Sequence, residues 1–408
     1  MEEFFDAKPF PMWDQPRQEI ADKTSRDVAS TLSGKTVFLY DDAFLSYDFG
    51  PSHPLRPVRL KLAAELARST GLLEQPNVLP AKPRMADTEQ VLLFHTRDYV
   101  DLVERLSRTG EGLLDLGDTP SFKGCFESSK LYVGGSILAA DLLMEKKADH
   151  AFNPAGGLHH AHLDAASGFC IFNDPAIVVA YLKHRYQVKK MLYLDVDAHH
   201  GDGVMYGFYS DPSLLNIDFH QDGRYLFPGT GFPREMGEGQ ARGLKVNVPL
   251  LPRTGDVSYL RAFREIVPRM AKAFAPEVIL MQCGADSHFD DRLANLGLTT
   301  SCYEQMVEMV HSLAHELCDG RVLLFGGGGY SLSSVARCWT LAFSKLAETQ
   351  LEDQIPNSWR EQYEKASGET APSRLRDSEA EAIPEPEICA ENVERVLREL
   401  KAVVPMLR

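Results

Sequence analysis

The sequence predicts a single α/β domain with a mainly parallel central sheet covered by helices on both faces, and three observations support this fold class. Apolar runs of strand length alternate along the chain with longer segments of helical periodicity. The runs are almost continuously apolar, which is typical of strands buried on both faces. Polar or glycine-rich residues follow them directly. Because ligands bind beyond the carboxyl ends of the strands in such folds, we expect the functional residues there.

The elements can be placed in order along the chain. Five apolar runs predict buried strands, at residues 35–42, 189–197, 214–220, 276–286 and 320–330. Three periodic stretches predict helices, at residues 128–147, 258–274 and 301–317. Residues 1–34 lack this pattern and are interpreted as an N-terminal extension to a main domain at residues 35–348. Residues 349–408 predict a charged, proline-containing C-terminal tail whose final amphipathic helix packs on the domain.

Composition narrows the class of protein. The chain has 408 residues, of which 44% are hydrophobic and 25% charged, as in ordinary globular proteins. No apolar run approaches the roughly 20 residues that span a bilayer, and the acidic, proline-broken start is unlike a leader peptide, so we expect a cytoplasmic protein without a membrane segment. Seven scattered cysteines without a C-x-x-C pair fit reduced thiols and exclude a structural zinc finger. The net charge of −15 argues against nucleic-acid binding and favours a cationic partner.

One motif concentrates titratable groups at the end of a predicted strand. Residues 192–203 read LYLDVDAHHGDG. Side chains alternate along a strand, so Asp195, Asp197 and His199 are expected on one side, with His200 and Asp202 beginning the turn beyond it. Burying such charges without partners costs several kcal/mol, which indicates a metal site, a proton-transfer site or both. A carboxylate with an imidazole suits zinc or ferrous iron better than calcium or magnesium.

Three other loops supply candidate partners. They contain the tandem His159 and His160, then Asp286, and Tyr330 after four consecutive glycines. Each residue alone would more often be an unrelated core or surface residue. Glycines beside every one of them, however, allow the backbone to approach a ligand closely. Together the four loops therefore predict one site.

Five motifs, taken in order, resemble a known family. They read NPAGGLHHAHLDAASGFCIFND, LYLDVDAHHGDGV, FHQDGRYLFPGTG, LMQCGADSHFDDRL and LLFGGGGYSLSSVARCWT. They are similar to the successive signatures of zinc-dependent histone deacetylases, in particular the bacterial acetoin-utilisation branch, over about residues 35–345. The resemblance implies the arginase-deacetylase fold, makes residues 35–348 a deacetylase domain, and implies hydrolysis of the acetyl amide of N-ε-acetyl-lysine with release of acetate.

The resemblance also implies roles for individual residues. The metal ligands are Asp197, His199 and Asp286, for Zn²⁺ or alternatively Fe²⁺. The proton-transfer and oxyanion groups are His160 with its partner Asp202, His159 with its partner Asp195, and Tyr330. The walls and rim of a tunnel for the lysine side chain are Gly168, Phe169, Phe227 and Leu293. Arg59, which follows His53 and Pro54, matches an arginine that lines a channel for released acetate.

The sequence departs from the family pattern in ways that bear on the substrate. Arg97 stands where eukaryotic members carry a rim aspartate that holds the substrate backbone, and Asp98 follows it. Asp218 stands where those relatives have a serine at a buried potassium site, so a K⁺ or Na⁺ ion is expected near Asp195, Asp197 and Asp218. Leu293 replaces the glutamate of the polyamine-selective branch, which favours acetylated lysine in proteins over acetylated polyamines.

Two alternatives stay open at this point. DVDAHHGD also resembles the ligand stretch of two-manganese ureohydrolases, but their second aspartate-rich run is replaced here by Asp286 followed by Ser287 and His288. A catalytically dead acyl-lysine reader would keep the pocket and lose ligands or Tyr330, and none of these residues is lost. Hydrolysis of an acetyl-lysine peptide, with and without a chelator, separates the three functions.

Overall fold

Parallel strands form the centre of the molecule. The computed structural model describes residues 34–408, and the extension predicted at residues 1–34 lies outside the described residues except for Gly34. In the described chain one sheet contains β1 (Thr36–Leu39), β2 (Val78–Ala81), β3 (His150–Asn153), β4 (Met191–Asp195), β5 (Leu214–Gln221), β6 (Lys245–Leu250), β7 (Val278–Gln282) and β8 (Val322–Phe325). The order is β2-β1-β3-β8-β7-β4-β5-β6, and every neighbouring pair is parallel. This confirms the predicted fold class.

Helices connect and cover the strands. They are α1 (Val58–Ser69), α2 (Thr88–Val91), α3 (Arg97–Thr109), α4 (Cys125–Met144), α5 (Asp174–Tyr186), α6 (Asp202–Gly207), α7 (Asp256–Phe274), α8 (Thr300–Leu317), α9 (Leu332–Leu346), α10 (Asn357–Ser367) and α11 (Glu387–Val403). The helices predicted at residues 128–147, 258–274 and 301–317 correspond to α4, α7 and α8. No helix among the described residues is both long and apolar enough to cross a bilayer.

The predicted strands are correct in position, but four of the five, all except the one at residues 214–220, extend too far at their carboxyl ends. β4, β7 and β8 are buried along their whole length, as continuous apolar runs predict. The polar or glycine-rich residues that follow them form loops. Because β4 ends at Asp195, the alternation of strand side chains does not orient Asp197 and His199, and this part of the sequence argument is wrong. Their orientation comes from the loop that follows.

Three strands, β2, β3 and β6, were not predicted from the sequence. β2 and β6 are the two edge strands, and each contains a proline, Pro80 and Pro249 respectively. Proline cannot donate to a ladder and is tolerated at an edge, so these segments do not read as central strands. β3 has only four residues and begins with a histidine, which leaves too short an apolar run to recognise.

The C-terminal segment is part of the described compact unit. Trp359 on α10 is fully buried, and its indole Nε1 donates to the carbonyl of Leu62 on α1 at 2.8 Å. The final helix, α11, packs on α7. The guanidinium of Arg376 donates to both carboxylate oxygens of Glu304 on α8 at 2.8 Å. Residues 349–408 therefore contribute both apolar core and ion pairs to the fold.

Candidate active site

The predicted site residues come together at one edge of the sheet. The central strands β3, β8, β7 and β4 are neighbours, so the loops after them emerge side by side. These loops carry the tandem histidines, the glycine run with Tyr330, Asp286, and the DVDAHHGD segment respectively. In a parallel sheet the carboxyl ends of all strands lie at the same edge, which is the physical reason for this convergence.

Two carboxylates and one imidazole form a buried cluster. Ligand atoms of Asp197, His199 and Asp286 all lie within 4.8 Å of one another. Nδ1 of His199 is 2.9 Å from Oδ2 of Asp286 and 3.2 Å from Oδ1 of Asp197. Burial opposes protonation of His199, but the two carboxylates raise its pKa to about 10. Burial together with Asp197 raises the pKa of Asp286 to about 7. Such a site has a strong requirement for positive charge, which a divalent cation satisfies.

Backbone groups hold the two carboxylates in place. The amide of Gly328 donates to Oδ2 of Asp197, and that of Ala198 donates to Oδ1 of Asp286, both at 2.7 Å. A Cβ atom at Gly328 would clash with Oδ2 of Asp286. The glycine run before Tyr330 therefore allows the backbone to approach both carboxylates. This oxygen-rich cradle with one imidazole fits the donor set of a divalent transition metal.

Two histidine–aspartate pairs stand beside this cluster. Nδ1 of His160 is 2.7 Å from Oδ1 of Asp202, and Nδ1 of His159 is 2.8 Å from Oδ2 of Asp195. A carboxylate oxygen accepts each of these bonds, so each Nδ1 is the donor. The two Nε2 atoms are 3.1 Å apart. Burial, and to a smaller extent the neighbouring His159, lowers the pKa of His160 to about 4, so its imidazole is neutral at pH 7.

The two pairs differ in their surroundings. Asp195 also accepts from the hydroxyl of Tyr193 at 2.8 Å, and burial with Asp218 and Asp197 raises its pKa well above its usual range. Burial likewise disfavours the charged form of Asp202, but its histidine partners His160 and His162 lower its pKa on balance. Two adjacent imidazoles thus face carboxylates of different basicity, a pattern that separates their protonation states.

Asp218 has a compensating partner that the sequence argument overlooked. Oδ1 of Asp218 is 2.6 Å from Nδ1 of His220, and its Oδ2 accepts from the amide of Gly201 at 2.9 Å. Although burial lowers the pKa of His220, Asp218 raises it on balance. Asp218 therefore has a hydrogen-bonding partner whose protonated form it favours. A K⁺ or Na⁺ ion beside Asp195, Asp197 and Asp218 stays a prediction.

Tyr330 lines a cavity together with the catalytic candidates. The ring centroids of Phe169 and Tyr330 are 5.9 Å apart, and those of His199 and Tyr330 are 6.3 Å apart. The backbone amide of Tyr330 donates to Oδ2 of Asp291 at 2.7 Å, which positions the residue. Burial, followed by Asp286, raises the pKa of Tyr330 well above its usual range. Its hydroxyl therefore remains a proton donor at all physiological pH values.

The walls of the cavity are tightly packed at Gly168. Its φ is +51°, and a Cβ atom there would lie 2.6 Å from Cδ2 of His160 and 2.9 Å from Cε1 of Phe227. Phe169 lines the cavity beside it, whereas Phe227 packs on His160 with ring centroids 5.1 Å apart. Phe227 and Leu293 are 42% and 37% exposed, so both lie where solvent reaches them.

Arg59 is buried in the wall of the same cavity. Only 5% of its surface is exposed, and its Nη1 donates to the carbonyl of Gly329 at 3.1 Å. The guanidinium lies 5.3 Å from the ring centroid of Trp339. Arg59 is therefore not an ordinary charged residue on the exposed face of α1. Nearby, the ring of His53 is 4.5 Å from the ring of Phe169.

Arg97 and Asp98 occupy the exposed start of α3. Arg97 forms an ion pair with Glu89 at 3.0 Å. The amide of Thr96, the residue before them, donates to the carbonyl of Leu163 at 2.9 Å in the loop that carries the tandem histidines. The segment is thus attached to the active-site loop, while the two charged side chains face solvent.

Three supporting residues were present in the quoted motifs but were not singled out. Nδ2 of Asn173 donates to the carbonyls of His159 and Ala161, each at 2.9 Å, and fixes the histidine loop. Nε2 of Gln282 donates to the carbonyl of Gly157 at 2.8 Å. Asp291 holds the backbone of Tyr330. Asn173 and Gln282 are polar residues within or directly after a buried apolar run, and that is the signal by which sequence could have indicated them, whereas Asp291 carries no such signal.

Comparison with known proteins gives consistent relatives. A family model described as histone deacetylase domain matches residues 53–346. Acetoin utilization protein AcuC of Bacillus subtilis is 37% identical over 380 residues, which cover 90% of this chain and 97% of the relative. Histone deacetylase B of Dictyostelium discoideum is 37% identical over 336 residues, covering 80% of this chain and 77% of that protein.

A solved structure agrees with these relatives. The crystal structure of an HDAC homolog from Aquifex aeolicus matches with a TM-score of 0.76 and 28% identity, over 89% of this chain and 99% of that one. The matched domain implies a divalent metal, which the Asp197, His199 and Asp286 cluster fits. The chain therefore belongs to the histone deacetylase family, in the branch of the acetoin utilization proteins.

Proposed function

We propose that this protein hydrolyses the acetyl amide of N-ε-acetyl-lysine in protein substrates, with a zinc ion as its metal. The observation that carries the proposal is a three-ligand cluster and two histidine–aspartate pairs beside one cavity, which Asp197, both active-site histidines and the protonated Tyr330 line. Asp197, His199 and Asp286 would hold the metal, and the same ligands suit ferrous iron. A divalent ion bound there supplies Lewis acidity toward the amide carbonyl and toward water.

His160 is the group best prepared to act as general base. Its Nδ1 proton is held by Asp202 and its lowered pKa keeps it neutral, so the lone pair on Nε2 is free to accept a proton from the attacking water. The same nitrogen can then return that proton to the leaving lysine amine. His159, with Nε2 3.1 Å from that of His160, orients the water and adjusts the charge at the site.

Tyr330 would stabilise the negative charge that develops on the amide oxygen. Its hydroxyl is protonated, it lines the cavity, and its backbone is fixed by Asp291. A donor held in place before the reaction costs no reorganisation when the charge appears. Arg59, buried in the same wall, places a permanent positive charge where an acetate anion could leave.

The close packing around Gly168 in the cavity wall supports a slender alkyl chain as the substrate's reactive arm. Gly168 and Phe169 narrow the cavity, and the apolar Leu293 stands half-exposed on the loop that also carries Asp291. An acetylated lysine and an acetylated polyamine both present such an arm, and they differ in what lies outside the entrance. Leu293 offers no carboxylate to a polyamine ammonium group, which favours the lysine substrate.

The residues after Asp286 support one metal at this edge of the sheet. Oγ of Ser287 donates to the carbonyl of Val196 at 3.1 Å, and Nε2 of His288 is 2.9 Å from Oδ2 of Asp377. Both side chains have partners away from the carboxylate cluster. A two-manganese ureohydrolase would need further ligands at these positions.

The test compares kcat/KM for an acetyl-lysine peptide and for acetylated spermidine, with and without a chelator. We expect the peptide to be the better substrate and chelation to abolish both activities. Asp286→Ala should lose one tightly bound ion together with activity, whereas Asp319→Ala, which removes a carboxylate that is 77% exposed, should lose neither. A preference for the polyamine would contradict the substrate assignment. Two manganese ions lost together on Asp286→Ala would contradict the one-metal hydrolase.

A further inference from the structure

Three histidines that the deacetylase chemistry does not use meet at the amino-terminal ends of the strands, on the side of the sheet opposite the active site. His150 is the first residue of β3, so it lies at the amino end of a strand whose carboxyl end leads to the active site. His311 and His315 lie on α8, four residues apart, and therefore face the same side of that helix. His150 and His311 are buried, and His315 reaches solvent.

The three imidazoles direct their Nε2 atoms at one point. Nε2 of His311 is 3.0 Å from Nε2 of His150 and also 3.0 Å from Nε2 of His315. The ligand atoms of the three residues all lie within 4.8 Å of one another. Gly320, at φ +80°, makes room for this cluster, because a Cβ atom there would lie 3.0 Å from Cε1 of His315.

Hydrogen bonding alone cannot satisfy this arrangement. A neutral imidazole nitrogen either donates one proton or accepts one, so Nε2 of His311 can make a good bond with only one of its two neighbours. Protonation does not resolve the conflict, since burial and the neighbouring imidazoles lower the pKa of His150 to about 3 and also lower that of His311. At least one of the two close nitrogen contacts is therefore left without a good hydrogen bond in a largely buried space.

We propose that His150, His311 and His315 form a second metal site, for a divalent transition cation of the zinc or nickel class. Imidazole suits these ions, and two histidines at i and i+4 on one helix are a common way to hold zinc. At a Zn–N distance of 2.0–2.1 Å, tetrahedral geometry places ligand nitrogens about 3.3 Å apart. Both observed spacings of 3.0 Å are within a few tenths of an ångström of that value, and the exposed His315 can move to widen the one that it makes with His311.

A fourth ligand is available next to the cluster. Oε1 of Glu348, which follows α9, is 3.8 Å from Nε2 of His311. Its side chain is 73% exposed and can rotate toward the ion. A bound cation would then tie together β3, α8 and the end of α9, so its expected effect is on stability and not on acetyl hydrolysis.

The experiment uses the full-length holoenzyme, with Zn²⁺ as the probe in calorimetric titration and elemental analysis. We expect the wild type to bind one ion per chain beyond that of the active site. His315→Gln, chosen because this side chain is exposed, should weaken that second binding by more than about a hundredfold and leave activity unchanged. His184→Gln, at another exposed histidine, is the matched control and should bind like the wild type.

The second site can be separated from the first. Asp286→Ala should lose the active-site ion but keep the Zn²⁺ uptake that depends on His315. Saturating Zn²⁺ should raise the melting temperature of the wild type and of Asp286→Ala, but not that of His315→Gln. Uptake of no second ion by the wild type, or equal second-site affinity in wild type and His315→Gln, would overturn the proposal. Neither result would bear on the deacetylase assignment.

Discussion

Replacing Tyr330 with phenylalanine tests the chemistry of the proposed hydrolase with the smallest change available. The substitution removes one hydroxyl oxygen from the cavity wall. The backbone amide keeps its bond to Asp291, and the ring keeps its packing on Phe169. The metal-ligand cluster and the histidine–aspartate pairs retain all of their contacts. A loss of activity can therefore be assigned to the missing donor.

The size of the effect follows from the position of the hydroxyl. Because Tyr330 is half-buried in the cavity wall, its raised pKa keeps it protonated and its backbone is held by Asp291, it acts as a preorganised donor. Loss of one such oxyanion donor typically costs about 2.7–4 kcal/mol, or roughly 10²–10³ in kcat. Substrate affinity should change much less, since the bond is strongest when negative charge has developed.

The assay is steady-state hydrolysis of an acetyl-lysine peptide, with metal content and thermal unfolding measured on the same preparations. Tyr363→Phe is the matched control, because its hydroxyl bonds to Glu369 at 3.0 Å on the C-terminal segment. It should retain wild-type kcat. If Tyr330→Phe kept more than about half of the wild-type kcat, the lost stabilisation would be under about 0.5 kcal/mol and Tyr330 would not be the oxyanion donor.

Two further substitutions test the packing of the site and the attachment of the C-terminal segment. Gly168→Ala should lower kcat/KM by at least about tenfold, because its Cβ would press on His160 at 2.6 Å with φ at +51°, and wild-type activity would contradict this. Asp377→Asn should lower the free energy of unfolding in urea by roughly 3–5 kcal/mol at pH 7, since it leaves Arg337 buried without its carboxylate. Burial opposes the charged form of Asp377, but His288 and Arg337 lower its pKa below the usual range. This stabilisation is therefore present above about pH 4 and is lost below it, so the difference between wild type and variant should narrow in acid.

Four strands near the centre of the sheet could be predicted because each signal is local. β4, β5, β7 and β8 are apolar runs that end in polar or glycine-rich residues, and both features lie within one short window. The edge strands β2 and β6 contain prolines whose tolerance depends on having no neighbour on one side. That property belongs to the assembled sheet and is not visible in the segment itself.

Contacts between distant parts of the chain explain what sequence could not predict. Trp359 and Leu375 lie in a charged stretch that reads as a tail, yet both are buried in the core of the described chain. The contact between Asp218 and His220 is different, because it lies within β5 and strand alternation places both side chains on one face, so the sequence could have indicated it. His150 and His311 are 161 residues apart, so only the fold shows that they meet.

The reactive groups and the entrance of the cavity differ in how they are held. The carboxylates of Asp197 and Asp286 are fixed by backbone amides of adjacent loops, and the histidines by buried aspartates. Hydrolytic chemistry thus follows from the parallel order of the central strands. Phe227, Leu293, Arg97 and Asp98 instead lie on exposed loops or at an exposed helix start. Phe227 also packs on His160, so a change there should affect the reaction itself. We therefore expect substitutions at Leu293, Arg97 and Asp98 to change the choice of substrate more than the rate of the hydrolytic step.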